Sequence, residues 1–382
     1  MSSPAPTTTA APLAPLGVEK PRSSVPWAAV GQGWFLATWS PAQPLAPGEA
    51  PAAGQATYQT ATTTLYLVDP AGGRYVITTF PPSADGSPTL MDWSGDGQHA
   101  LLEQDVTDPS TTAAQTVITE VDLGTGATSN FTVGIAVDAH YTLPDGHAIL
   151  LSTSAERGTP SAPSLERVDL GGTEQLTFPV DQLGSAFNGG FLSYPDGSQL
   201  VLGTADGLVV VGNDGTVGHQ IPMPGPSGCM PLRWWTSTQI LAACTGSNDT
   251  SRLWLVPASG AAPTALTAPL TGQQGPDAAD EDAWQLPAGT FLQDAGACGY
   301  QYLAKLNPDG TTTPVTVPGV ANGDSQLVVG TDGPNLALHA AIGCGAGESL
   351  LVYNPTANTS TVLLGPPVNG GGVVSALVYP AS

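Results

Sequence analysis

The residues of this 382-residue chain that could do chemistry are few and widely spaced. Its five histidines, His99, His140, His147, His219 and His339, occur singly, and none is paired with another at helical spacing. His140, in the alternating stretch Asp138-Ala139-His140-Tyr141, is the one placed to act, from a strand that reaches toward the interior of the fold. Asp92, Arg233, Asp282 and Gln326 fall at comparable places. Arg233 is one of only eight Lys and Arg residues, so a ligand role and a structural ion pair with Asp92 or Asp282 are both open to it.

Two acidic stretches carry enough oxygen for calcium, which needs six to eight ligands at short range. One contains Asp277, Asp280 and Asp282, and the other runs from Glu103 to Asp108. Neither has the spacing of a known calcium loop, and a solvated acidic loop is the competing reading. Calcium is the one cofactor these residues suggest. Three tryptophans, Trp93, Trp235 and Trp284, stand at equivalent points and would offer a stacking platform if they emerged on one face; filling a core is their other use. The hydrolase elbow G-x-S-x-G, the phosphate-binding P-loop, G-x-G-x-x-G and H-E-x-x-H are all missing from the sequence.

The four cysteines point to an oxidising compartment. Cys229 and Cys244 lie equally far from Thr236-Ser237, so a hairpin turning there sets them opposite one another across two strands. Cys298 and Cys344 precede Asn307 and Asn354 by nearly the same distance and suit a disulfide between neighbouring repeats. Four cysteines allow three pairings.

These residues are positioned by a repeat. Alternating apolar stretches are broken by tight turns at Asp69, Asp122, Asp169, Asn213, Pro257, Asn307 and Asn354, at spacings of 44–53 residues. A second series falls between them, including Leu143-Pro144-Asp145-Gly146 and Tyr194-Pro195-Asp196-Gly197, where proline presets one dihedral and glycine takes the positive one. Each repeat is therefore two hairpins. With 47 glycines and 37 prolines there is little room for helix. Four-stranded units of this length predict an all-β, seven-bladed β-propeller with blades at about 24–84, 85–134, 135–181, 182–224, 225–272, 273–319 and 320–368. The terminal run Val373 to Pro380 reads as one more innermost strand, which closes the ring by joining blade one.

The elements Tyr194-Pro195-Asp196-Gly197-Ser198, Leu143-Pro144-Asp145-Gly146-His147 and Leu306-Asn307-Pro308-Asp309-Gly310, with strands such as Leu65-Tyr66-Leu67-Val68-Asp69, resemble the TolB-type (WD40-like) propeller repeat. The resemblance spans most of residues 24–380 and implies the fold and an exported, lipoprotein-like setting. TolB carries an α/β domain ahead of its propeller and prolyl-oligopeptidase relatives add a hydrolase domain. Neither finds room in this chain, so their activities are not expected of it.

A surface with 31 acidic residues and a net charge of −23 repels phosphate backbones and excludes nucleic acid as a partner. Residues 1–23, rich in Pro, Ala and Thr, read as a flexible stalk suited to a lipid anchor, and no apolar run is long enough to span a bilayer. The function expected from all this is a monomeric, non-catalytic propeller that binds a protein, peptide or glycan at the cell surface or outside the cell. An enzyme such as a polysaccharide lyase or glycoside hydrolase, with its site at the channel mouth, and a structural or sensory ectodomain are the alternatives.

Overall fold

In a computed structural model the chain is a seven-bladed β-propeller. The structure describes residues 13–42, 50–107, 114–154, 163–223, 228–245, 251–268, 279–296, 300–321, 323–342 and 346–380. Six sheets have four antiparallel strands, and the sheet of blade one has five. The innermost strands of blades two to seven are Thr89–Trp93, Ile135–Tyr141, Phe187–Ser193, Gly228–Thr236, Ala279–Leu286 and Ser325–Asp332. Gly372–Val378 supplies the innermost strand of blade one by pairing antiparallel with Phe35–Ser40. Ring closure by the carboxyl-terminal strand is as the sequence predicts.

Alternation along the strands accounts for the radial packing. Successive side chains point to opposite faces of a sheet, so each blade has one apolar face for each neighbour. Leu102 packs toward blade one and Leu101 toward blade three. In blade three, Leu150 packs toward blade four, while Ile149 and Leu151 on the other face pack toward blade two. Seven buried clusters result, one between each pair of adjacent blades around the ring. Closure is further held by a buried polar knot. Ser375 Oγ bonds Thr38 Oγ1 at 2.7 Å and accepts the Leu90 N–H of blade two at 2.9 Å.

Three expectations are revised by the structure. Residues 13–23 are not stalk: Glu19–Pro21 adds a parallel fifth strand to the outer edge of blade one, against Arg74, Tyr75 and Val76. Asp69 explains why, since it accepts the Ala14 N–H at 3.0 Å while also holding its own turn through Ala71 and Gly73. The stalk as expected over residues 1–12 lies outside the described residues. Second, Glu103 to Thr107 is not a loop but the end of the strand His99–Thr107, where Asp105 accepts from the Thr116 hydroxyl.

The third revision concerns the tryptophans. Trp93 and Trp284 are buried in the seams between blades, and Trp235 is half-buried beside Leu241, so the three form no shared exposed face. Of the cysteines, Cys229 and Cys244 are direct cross-strand partners joined by a disulfide, with Cα atoms 4.1 Å apart. Cys298 and Cys344 lie outside the described residues.

Candidate functional site

Every innermost strand carries a break in register against its neighbour. The ladder skips Met91, Val137, Asn188–Gly190, Leu232, Glu281, Val329 and Val374 in turn. Such β-bulges bend a strand and re-aim the side chains beyond it. Beyond the bulge in blade two stands Asp92, in blade three Asp138 and then His140, in blade five Arg233 and in blade six Asp282. A bulge also frees main-chain N–H groups from the ladder, and two of the aspartates answer that need. Asp92 accepts from the Trp93 N–H at 2.9 Å and Asp282 from the Ala283 N–H at 2.7 Å.

These side chains meet across blades. Asp92 also accepts the Tyr141 N–H of blade three at 2.8 Å. His140 then stands between two carboxylates, Nε2 at 3.1 Å from Asp138 and Nδ1 at 3.5 Å from Asp92, with its ring edge-on to Phe191 of blade four at 5.6 Å. The ring lies deep in the propeller yet keeps 43% of its side-chain surface accessible. Burial pushes its pKa down, but the charges and hydrogen bonds of Asp138 and Asp92 outweigh burial and hold it well above the ordinary histidine value. Both His140 nitrogens thus face carboxylates, an arrangement that favours the charged ring. His339 is the opposite case: burial drives its pKa down, against one bond between Nε2 and the Val373 carbonyl at 2.9 Å.

The two histidines should therefore separate on titration. Imidazole nitrogen shifts at pH 7 should show His140 doubly protonated and His339 neutral. The linkage signs differ as well. His140 adds stability that is complete below the unfolded histidine value of about 6.5 and is lost as pH rises through its raised folded pKa. The lowered pKa of His339 costs stability only as pH falls below about 6.5. Titration of His140 at the unperturbed value would show that the carboxylates do not hold it.

Arg233 is used within the structure. Its guanidinium bonds Asp282 and lies over the Trp284 ring, 4.4 Å from the centroid. Burial raises the Asp282 pKa, and Arg233 opposes that rise without cancelling it. Of the three residues expected to hold calcium, Asp282 faces this cation, Asp280 is buried opposite Asp294, and Asp277 lies outside the described residues. Among the described residues no three carboxylate, imidazole or thiol groups converge to hold a metal ion. Gln326 gives its main-chain carbonyl to Gln293 at 3.0 Å, tying blade seven to blade six.

A cavity of about 550 Å³ opens where the innermost strands of blades two to five turn outward. Asp92 and His140 form its polar part, and Phe191, Leu192, Leu143 and Trp234 are among its apolar walls. Trp234 is fixed by its Nε1–H to the Ser193 carbonyl at 2.8 Å and by an edge contact with Tyr194 at 4.8 Å. Sequence reasoning found His140 but not Asp138 as its partner, nor Phe191 or Trp234 as walls. A partial signal was available in Trp93 and Trp234, each immediately ahead of a turn of the second series.

No protein-family model matches the chain, and no curated protein matches it in sequence. Solved structures do resemble it. Prolyl oligopeptidase B from Galerina marginata superposes with a TM-score of 0.53 at 11% identity, over 86% of this chain and 49% of that one. A prolyl endopeptidase structure gives 0.49 at 12%, over 87% and 50%, and TolB from Acinetobacter baumannii gives 0.44 at 11%, over 99% and 89%. The chain spans about half the length of the prolyl peptidases it resembles. At these identities the likeness shows the propeller fold.

Proposed function

We propose that this propeller is a binding protein of the cell envelope or the extracellular space, and that the cavity between blades two and five takes a bulky apolar side chain of a peptide. The observation that carries the reading is the make-up of that cavity, in which apolar walls from four blades surround one ion pair, His140 with Asp92, the ring being held also by Asp138. Apolar pockets with a few placed polar groups are the usual form of a ligand site. A glycan would need many more hydrogen-bonding partners than these walls supply, so a peptide fits better. The Cys229–Cys244 disulfide supports an oxidising location.

An enzyme would need a histidine and carboxylates in one pocket, and Asp92 and His140 line the cavity with Asp138 against the ring. Its chemistry favours binding all the same. A general base needs a neutral nitrogen within reach of substrate, whereas here both nitrogens face carboxylates whose charges hold the ring's pKa up.

Leu192→Arg, which fills the half-buried wall of the cavity with a cation, should weaken binding of apolar peptides about tenfold or more, the worth of one buried side chain. Calorimetry on peptides retrieved from a random array, with a glycan array and turnover assays run alongside, checks this. Equal affinity in the variant, glycan binding alone, or turnover without stable binding would each overturn the proposal.

A further inference from the structure

A second recess adjoins the first. It measures about 390 Å³ and is lined by Trp27, Val30, Asp96, Gly97 and Tyr379, among others. The turn Ser94–Gly97 of blade two separates the two cavities, with Gly95 facing the larger and Gly97 the smaller. The chain end straddles the same divide, since Tyr379 lines the smaller cavity and Pro380 the larger. Trp27 is 39% exposed, large for an indole with an apolar hollow beside it. Gly97 makes the recess possible: its φ is +73°, and an added Cβ would lie 2.8 Å from the Tyr379 ring.

Between the cavities stands a carboxylate. Asp96 is held by the Ser94 hydroxyl at 2.6 Å and the Gln98 N–H at 2.9 Å. Asp145 and Asp196 occupy the corresponding turns of blades three and four, next to Pro144 and Pro195, which also line the larger cavity. Burial raises the Asp96 pKa, but its hydrogen bonds outweigh that and keep it lowered, and Asp196 is lowered by Ser198. The turns bordering the site therefore carry carboxylates, while its walls are mostly apolar.

Resting on the binding function proposed above, we infer that the two cavities are subsites of one groove for an extended basic peptide, which places one apolar side chain in each and a lysine or arginine over Asp96. Successive side chains of an extended peptide alternate in direction, so residues i, i+2 and i+4 face the same way and set two apolar anchors in the hollows with a cation between them over the dividing turn. The bordering carboxylates complement the cation and speed its encounter.

The full chain is tested with two acetylated, amidated peptides, Gly-Phe-Gly-Lys-Gly-Leu-Gly and its one-anchor counterpart Gly-Phe-Gly-Lys-Gly-Gly-Gly, by calorimetry. The two-anchor peptide should bind about tenfold tighter, the worth of one buried apolar side chain. Trp27→Ala should reduce that ratio to near one. Replacing the peptide's lysine by glutamine should cost several-fold, with the loss shrinking in high salt. A ratio unchanged in Trp27→Ala, while Leu192→Arg still weakens both peptides, overturns the second subsite and leaves the first standing. Peptides that bind wild type and Leu192→Arg alike overturn both.

Discussion

Removing residues 372–382 should leave a chain that no longer unfolds as a single cooperative unit. Gly372–Val378 is the innermost strand of blade one, and Val373 and Ala376 are buried among Phe35, Ala37 and Leu364. Losing those contacts, with the Thr38–Ser375–Leu90 knot, costs about 5 kcal/mol or more at ordinary values for apolar burial and hydrogen bonds. That is comparable to the whole stability of a typical domain. Phe35–Ser40 would also become an open sheet edge able to pair with another chain. Calorimetric melting with light scattering should therefore show a broad, early transition or assemblies. A truncated chain that melts like the parent and keeps the parent's oligomeric state would refute the closure argument.

The second large effect is expected at Arg233. Arg233→Met removes the cation that faces Asp282 and covers Trp284, leaving a mostly buried carboxylate alone. Breaking a buried pair costs about 3–5 kcal/mol, and the partial exposure of the arginine lowers that to about 2–3 kcal/mol. The double variant Arg233→Met with Asp282→Leu should recover most of the loss, because neither charge then remains. The deficit also has a pH signature. Without its cation, Asp282 holds a folded pKa further above the unfolded value, so the loss is full above that folded pKa and narrows as pH falls through it. Equal denaturation midpoints for wild type and the single variant, or a deficit that does not narrow in acid, would refute the pairing as the source of stability.

The fold was legible because it rests on short-range chemistry. Asp-Gly and Pro-Asp turns punctuate alternating strands, and their period survives even where blade lengths vary. Cys229 and Cys244 were legible for the same reason, being symmetric about one hairpin. The scarcity of cations singled out Arg233 and left Asp92 and Asp282 as its candidate partners, between which only the structure decides. What was not legible depends on contacts without a local signal. The Asp69 carboxylate captures Ala14 from 55 positions away, which turns Pro-rich chain into a docked strand. The register breaks leave no mark in the sequence, yet they decide which side chain of a strand meets the next blade. Trp93 and Trp284 were ambiguous in the sequence, and the seams between blades took them.

The two ends of the described chain leave the ring at opposite radii. Residues 19–21 ride the outer edge of blade one, while Tyr379 and Pro380 stand at the lip of the two cavities. A ligand in the proposed groove would lie beside Pro380, so a purification handle or surface linker fused to the carboxyl end is expected to compete with it. Handles belong at the amino end, and a comparison of the two attachments is itself a cheap report on where ligand enters.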